Sequence, residues 1–333
     1  MTIYEFPLEP LEERYSIQWR EWFEDYFIEK GIRYERIEGE TKSSKINVGA
    51  FLDVFETNRY KLTQMTEIID RMPVIEDEDV FFFHDIWNPA VVNLKYMLDG
   101  AGIKARIFGC IHAGSYDESD FLYRQGMARW ARSFEKSLID ICDKVFVATE
   151  FHRKLLIDSG FDGHKVLVSG FPIFQQRANP VEKENIVVFP HRMDPEKQPG
   201  IFEKMRARLQ DVYKDWKFVF SKEVTKTKQE YFDLLQSSKI AVSFALQETW
   251  GIAMQEAVFA DCIPLVPKRL SYEEMYPELN QFESIEEAED ILCDMIENYP
   301  TWLQGVKETK DLFTSAGSRA IPNIVNFMIN RED

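Results

Sequence analysis

Two glutamates, Glu248 and Glu256, bracket the stretch Phe244-Ala-Leu-Gln-Glu248-Thr-Trp-Gly251-Ile-Ala-Met-Gln-Glu256-Ala257. An apolar strand-like run ends there, a polar turn with a glycine follows, and an apolar-periodic helix begins. If the segment were helical throughout, the two carboxylates would be separated by about 12 Å along the axis. That matches the span from a nucleotide ribose to a sugar beyond its diphosphate. A glutamate accepts from two vicinal hydroxyls at once, as the acidic residue of dinucleotide-binding folds does with ribose. This reading assigns Glu256 to a ribose and Glu248 to the hydroxyls of a sugar. The turn Thr249-Trp250-Gly251 between them carries the N–H groups and positive dipole end of a helix N-terminus, which favour a diphosphate. The competing reading is a helix start with one favourable acid and one exposed acid on its face.

Other strand ends carry polar groups as well. Ile107-Phe-Gly-Cys-Ile-His112-Ala-Gly-Ser-Tyr ends a strand on a histidine and a turn of small residues. His84-Asp85-Ile86-Trp87 follows another strand, and an aromatic beside a polar pair suits contact with an acceptor. Each also reads as a packed or capping histidine followed by a turn. The acidic run Glu76 to Asp79 reads as a solvated turn before a strand rather than a metal site. The sequence contains no GxGxxG, GxxxxGK[ST] or HExxH motif.

The elements that must position these groups alternate. Ile3 to Phe6, Val80 to Phe83, Arg106 to Ile111, Lys144 to Ala148 and Val166 to Val168 are short apolar runs. Such runs suit parallel strands covered on both faces. Ser16 to Lys30 repeats Trp19, Trp22, Phe23, Tyr26 and Phe27 at helical spacing, a core-facing helix. Gly170-Phe171-Pro172 then leads into a polar stretch, Gln175 to Glu184, with Pro180. A linker falls here. A second series follows: Ile186 to Phe189, Trp216 to Phe220, Ile240 to Phe244 and Ile263 to Val266, with helices at Gly200 to Leu209 and Lys228 to Leu235. Alternation of this kind gives α/β, doubly wound domains. The predicted division is 1–175, 176–315, and a C-terminal helix within 316–333 that crosses back to the first domain. Ligands of open α/β sheets bind outside the strand C-termini, so the two domains are expected to face a central cleft.

Composition bounds the rest. The chain has 333 residues and a formal charge of −17, carried at its two ends. Residues 1–100 sum to −10 and residues 241–333 to −11, whereas residues 101–240 sum to +4. A central region of that sign still attracts phosphate. No apolar run reaches membrane-spanning length, so no stable membrane insertion is expected, and the acidic Met1 to Pro10, with no basic start or apolar stretch, argues against a signal peptide. Cys110, Cys142, Cys262 and Cys293 lie far apart without a CxxC pair; three of them sit in apolar contexts and fit a reducing cytoplasm.

With these residues in hand, residues 186–267 resemble the retaining glycosyltransferases of the GT-B fold, whose signature is E-x7-E and which continue, as here, through Glu256-Ala257 to Ile263-Pro264-Leu265-Val266. Residues 1–172 share the architecture and His112. The chain departs from the family at Trp250, usually phenylalanine, and at Asp261, usually glycine. The resemblance implies that Arg192 and Lys197, five apart after a strand in Val188-Phe-Pro-His-Arg192-Met-Asp-Pro-Glu-Lys197, hold the donor diphosphate. Arginine forks onto phosphate oxygens and lysine adds a point charge, so the growing charge of the leaving group is met without a metal. It implies a catalytic place for His112 near the donor sugar. The aspartate that usually follows is Ala113 here, and Asp117 or Asp120 is the substitute on the acceptor side with His84, Asp85 and Trp87. Donor binding falls to Arg192, Lys197, Glu248, Thr249, Trp250, Gly251 and Glu256. The co-substrate is a nucleotide-sugar, a UDP-sugar by preference, with no cofactor.

Pro10-Leu-Glu-Glu-Arg-Tyr15, Phe83 to Trp87 and Gly109 to Gly114 also resemble phage-encoded glycosyltransferases. That implies hydroxymethylated pyrimidines in DNA as acceptor, with Arg124, Arg129, Arg132, Lys136, Arg153 and Lys154 following phosphates and Trp87 stacking on a flipped base. A surface glycan or small metabolite is the alternative acceptor, and a non-catalytic nucleotide-sugar-binding protein the alternative function. The loop Pro7 to Arg14 lacks the family's glycine-rich turn, and the oligomeric state is left open.

Overall fold

Continuous apolar tetrapeptides build the strands of this chain, whose structure, a computed structural model, describes residues 1–11, 15–41, 53–175 and 181–330. The first sheet contains Ile3–Phe6 (β1), Tyr34–Arg36 (β2), Val80–Phe83 (β3), Arg106–Cys110 (β4), Lys144–Val147 (β5) and Val166–Val168 (β6). The second contains Ile186–Phe189 (β7), Lys217–Phe220 (β8), Ile240–Val242 (β9), Ile263–Pro267 (β10) and Gln281–Phe282 (β11). Every strand pair is parallel. Residues of β1, β3 and β7 are buried without exception, as parallel strands with helices on both faces require. The two strands that the sequence does not announce, β2 and β11, lie at sheet edges and read Tyr-Glu-Arg and Gln-Phe. Such short polar edges carry little periodic signal.

The chain divides into two compact units, Met1–Pro172 with Arg319–Asp333, and Ile173–Ser318. The sheet orders are β2-β1-β3-β4-β5-β6 and β11-β10-β9-β7-β8. Counted within its own unit, each sheet runs 2-1-3-4-5, the first with a sixth strand. The direction of winding therefore reverses between β1 and β3 in one unit and between β7 and β9 in the other. In open sheets of this order, ligands bind outside the strand C-termini at that switch point.

The aromatic helix Ser16–Lys30 buries Trp19, Phe23 and Phe27, at i, i+4 and i+8, and leaves Trp22 and Tyr26 half-exposed. Trp19 packs on His84, His112 and Phe171, and its indole Nε1 donates to the Pro172 carbonyl at 2.8 Å. Truncating a buried Trp of this kind to Ala costs about 3–5 kcal/mol. At the other end, the expected helix Ser318 to Asn330 is part of one longer helix, Tyr299–Ile329, with Pro322 inside it. Buried Val306, Phe313, Ile321, Ile324 and Met328 sustain it by packing across a stretch that local propensity breaks up with Gly305 and Gly317. Cys110, Cys142 and Cys262 are buried free thiols pushed upward by burial, and Cys293 is half-buried. Among the described residues, no helix is long and apolar enough to cross a membrane.

Candidate active site

The switch point of the second unit collects the charged groups. β7 runs into Pro190-His191-Arg192, and a single 3-10 turn, Pro195–Lys197, closes the loop. Lys197 is buried, and its Nζ donates to Glu248 Oε1 at 2.7 Å and to the Gln247 carbonyl at 2.6 Å. The Leu246 amide donates to the Glu196 carbonyl at 2.7 Å. The loops after β7 and β9 are thus joined by an ion pair and a backbone bond. The sequence places Lys197 on phosphate; in the structure its charge is on Glu248, and it fixes that carboxylate. Arg192 is the more open cation of the pair. Its guanidinium lies 3.2 Å from Asp194 and 3.2 Å from Glu196, with 38% of its side chain open.

His191 stands between them. Its ring is buried, with Nδ1 3.8 Å from Glu248 Oε1. Burial, then the Lys197 and Arg192 charges, hold its imidazole well below the usual range, so it is neutral at ordinary pH. Its Nε2 is buried without a hydrogen-bond partner.

Beyond Glu248 the chain turns at Gly251 with φ +84, and the helix Ile252–Phe259 starts there. Only glycine fits. A Cβ at Gly251 would lie 2.6 Å from the Tyr272 ring, and the positive φ disfavours any other residue. Glu248 therefore sits in a loop before the helix, and the helical estimate of its distance from Glu256 does not apply. Glu256, on the helix, is buried, and Lys228 Nζ donates to its Oε1 at 2.8 Å. Thr249 is half-buried, and Trp250 is buried with its indole N–H on Gln255 Oε1. Trp250 thus packs into its own helix start. The Tyr272 and Tyr276 phenols flank this turn, both pushed up by burial and then by the Glu248 charge.

The first unit treats its candidate residues differently. His84, expected to open outward, is fully buried under Trp19 and Phe23, with Nε2 2.8 Å from Glu5 Oε1. Glu5, also fully buried, accepts from Arg36 Nε at 2.8 Å. This is an internal network at the end of β1 and β3, closed to an acceptor. His112 is part-buried. Its Nε2 lies 2.6 Å from the His84 carbonyl, which can only accept, so Nε2 carries the proton. Tyr15, Trp19 and Phe171 present ring edges to it.

Asp117 and Asp120 organise their own turn: Asp117 Oδ1 accepts from Ser119 N at 2.8 Å, and Asp120 Oδ1 caps the short helix Phe121–Arg124 through Leu122 N at 2.8 Å. Burial raises the Asp120 carboxyl to about 6. Asp85 accepts from the Trp87 amide at 3.1 Å, and its carboxylate lies 3.6 Å from Lys61. The Trp87 indole donates to Glu135 Oε1 at 3.0 Å, with its ring edge-on to Trp130 and Phe134.

Sequence reasoning passed over Glu135, although it organises this side. It is fully buried on the helix Ala128–Ile141 and accepts from Ser115 N at 2.8 Å and Ser115 Oγ at 2.5 Å. A Cβ at Gly114 would strike it at 2.4 Å. His191 and Lys228 were passed over too. His191 adjoins Arg192 in a motif already singled out; Lys228 gives no local signal of a site. The acidic run is not all solvated: Asp79 is buried, accepting from Thr2 N at 2.6 Å and Glu76 N at 2.9 Å. Among the described residues no three His, Cys, Asp or Glu side chains gather as metal ligands. Residues 12–14 of the Pro7 to Arg14 loop, and 176–180 of the linker with Pro180, lie outside the described residues.

No family model matches the chain. A 55-residue stretch is 40% identical to tRNA-queuosine alpha-mannosyltransferase of Drosophila melanogaster, covering 16% of this chain and 15% of that protein. Among solved structures, an alpha,alpha-trehalose-phosphate synthase (UDP-forming) from Burkholderia vietnamiensis superposes with a TM-score of 0.69 at 11% identity, covering 98% of both chains. TarM from S. aureus, solved with UDP and alpha-GlcNAc-glycerol, gives 0.55 at 16% identity over 80% of this chain. The likeness spans just over half, 56%, of TarM's length. These likenesses, with the two parallel sheets and their strand orders, establish the chain as an α/β protein of the two-domain GT-B glycosyltransferase fold.

Proposed function

We propose that the chain transfers a sugar from a UDP-sugar to an acceptor hydroxyl, with retention at the anomeric carbon and without a metal. The observation that carries this reading is the Lys197–Glu248 pair fixed beside the Gly251 helix start, with the half-open Arg192 on the same loop as Lys197. The sugar C1–O bond breaks and its electron pair leaves with the β-phosphate. The acceptor oxygen attacks C1 from the same face, and its proton passes to the leaving phosphate oxygen. Arg192 and the first-turn N–H groups of Ile252–Phe259 meet the charge that grows there. Glu248, held by Lys197, accepts from hydroxyls of the transferred sugar, and Glu256 from the ribose. The names of the structural neighbours support the nucleotide: one is UDP-forming and another was solved with UDP.

For the acceptor we infer a hydroxyl on a modified nucleobase, hydroxymethylated pyrimidine in DNA being the case the sequence raises. Two observations favour it over a sugar phosphate, the acceptor class in the trehalose-phosphate synthase name. The curated relative is named for a modified tRNA base. In addition, Tyr123, Arg129 and Trp130 stand exposed along one stretch of the first unit. Incubation with UDP-sugars and, separately, hydroxymethylated duplex DNA, tRNA and sugar phosphates, followed by mass spectrometry, tests both steps. A product of acceptor plus one sugar, formed in the presence of a chelator, is expected. Release of no UDP with any acceptor removes the enzymatic reading, and transfer to sugar phosphate alone removes the nucleobase.

A further inference from the structure

Lys228 breaks a local rule. It is the first residue of the helix Lys228–Ser237, where the positive dipole end disfavours a cation. It is not needed to cap the helix, because Thr227 and Glu230 already form a reciprocal capping box. What Lys228 does have is the Glu256 carboxylate at 2.8 Å and the faces of Tyr231 and Phe232, 4.9 and 4.7 Å from Nζ to the ring centroids. The side chain is clamped on two rings with its charge on one oxygen of a carboxylate that is itself more than nine-tenths buried. The Tyr231 phenol lies against the same carboxylate; burial first, and Glu256 next, push it well up.

We infer that Lys228 is the positioning residue that makes Glu256 selective for the ribose diol of the donor nucleotide. The inference rests on the donor reading above. By occupying Oε1, the ammonium leaves Oε2 as the acceptor and fixes the plane in which two vicinal hydroxyls can reach it. The pair repeats on Glu256 what Lys197 does for Glu248: each glutamate of the E-x7-E stretch carries its own lysine, one from a 3-10 turn and the other from a helix start.

Binding of UDP and of 2′,3′-dideoxy-UDP to the full chain, measured by calorimetry, separates this role from a merely structural one. The native protein is expected to prefer UDP by about 10-fold or more, the worth of hydrogen bonds to a charged acceptor. Lys228→Met should weaken UDP by about 10-fold and bring the two ligands to within about 2-fold of each other. Lys228→Arg, which keeps the charge, should restore most of the preference, and Glu256→Gln should lose it. A Lys228→Met protein that still favours UDP as the native does overturns the inference, and so does a native protein that binds both ligands equally. In either case UDP binding itself leaves UDP as the donor nucleotide, and equal binding removes only the ribose contact of Glu256. A native protein that binds neither ligand overturns the donor reading and the inference with it.

Discussion

The two units wind their sheets in the same order and place polar residues at the same switch point, yet they use them in opposite ways. Between β1 and β3, Glu5 and His84 are sealed under Trp19 and Phe23, and the nearby Glu135 is consumed by Ser115 and Trp87. Between β7 and β9, Lys197 and Glu248 are paired but Glu248 keeps 15% of its side chain open, and Arg192 is more open still. One switch point closes its charged groups under aromatic rings; the other leaves part of its charge open to solvent. Topology thus marks where a site can be, and burial decides whether one is there.

The widest gap between the units should appear on removing Arg192. Arg192→Ala is expected to lower transfer by about 100-fold or more, the scale of losing a charge-assisted contact to a leaving group, with the thermal midpoint nearly unchanged because the side chain is half-open. Native turnover in that variant, assayed as UDP release with acceptor, removes the phosphate role. The mirror experiment is Glu135→Ala. It leaves the buried Ser115 and the part-buried Trp87 donors without their acceptor, so urea unfolding should show a loss of about 3 kcal/mol, while UDP affinity stays native. A loss of UDP affinity at unchanged stability would reverse the contrast between the two units.

The smallest effect is in pH. Asp120 has its folded carboxyl raised from 3.8 to about 6, chiefly by burial. The folded state therefore binds the proton more tightly, and its stabilising share is full below about 4 and lost as pH rises through about 6. His152, bonded to Tyr116 at 2.7 Å and lowered to about 3 by burial, acts in the opposite sense, favouring the fold above its unfolded value of 6.5 and losing that share as pH falls. Asp120→Asn keeps the cap, since Asn serves as well as Asp, and removes only the first term. Its stability relative to the native chain should rise between pH 4 and 6 and level off above. A difference that does not vary across that window would show that Asp120 is no more buried in solution than an ordinary surface acid.

Much of this was legible in the sequence, for a physical reason. Short apolar runs such as Val80 to Phe83 and Ile186 to Phe189, too short for helices and bounded by polar turns, read as strands buried on both faces, and both are. The helix Ser16–Lys30 is legible from its aromatic spacing, and Gly31 at φ +63 ends it. Glycine at 251 and the charges around it marked the switch point of the second unit, because a tight turn into a helix leaves a local signature. What the sequence could not decide was which polar groups would end up paired. His84 and Trp87 look like Arg192 and Glu248 in one dimension: polar or aromatic residues just past a strand. Their difference lies in residues far away along the chain, Glu5 and Trp19 for one, Glu135 for the other, and only packing brings those together. Lys228 shows the same in reverse. Nothing near it in the chain names its partner, and the contact that gives it a role, with a carboxylate 28 residues on, exists only once the second sheet has formed.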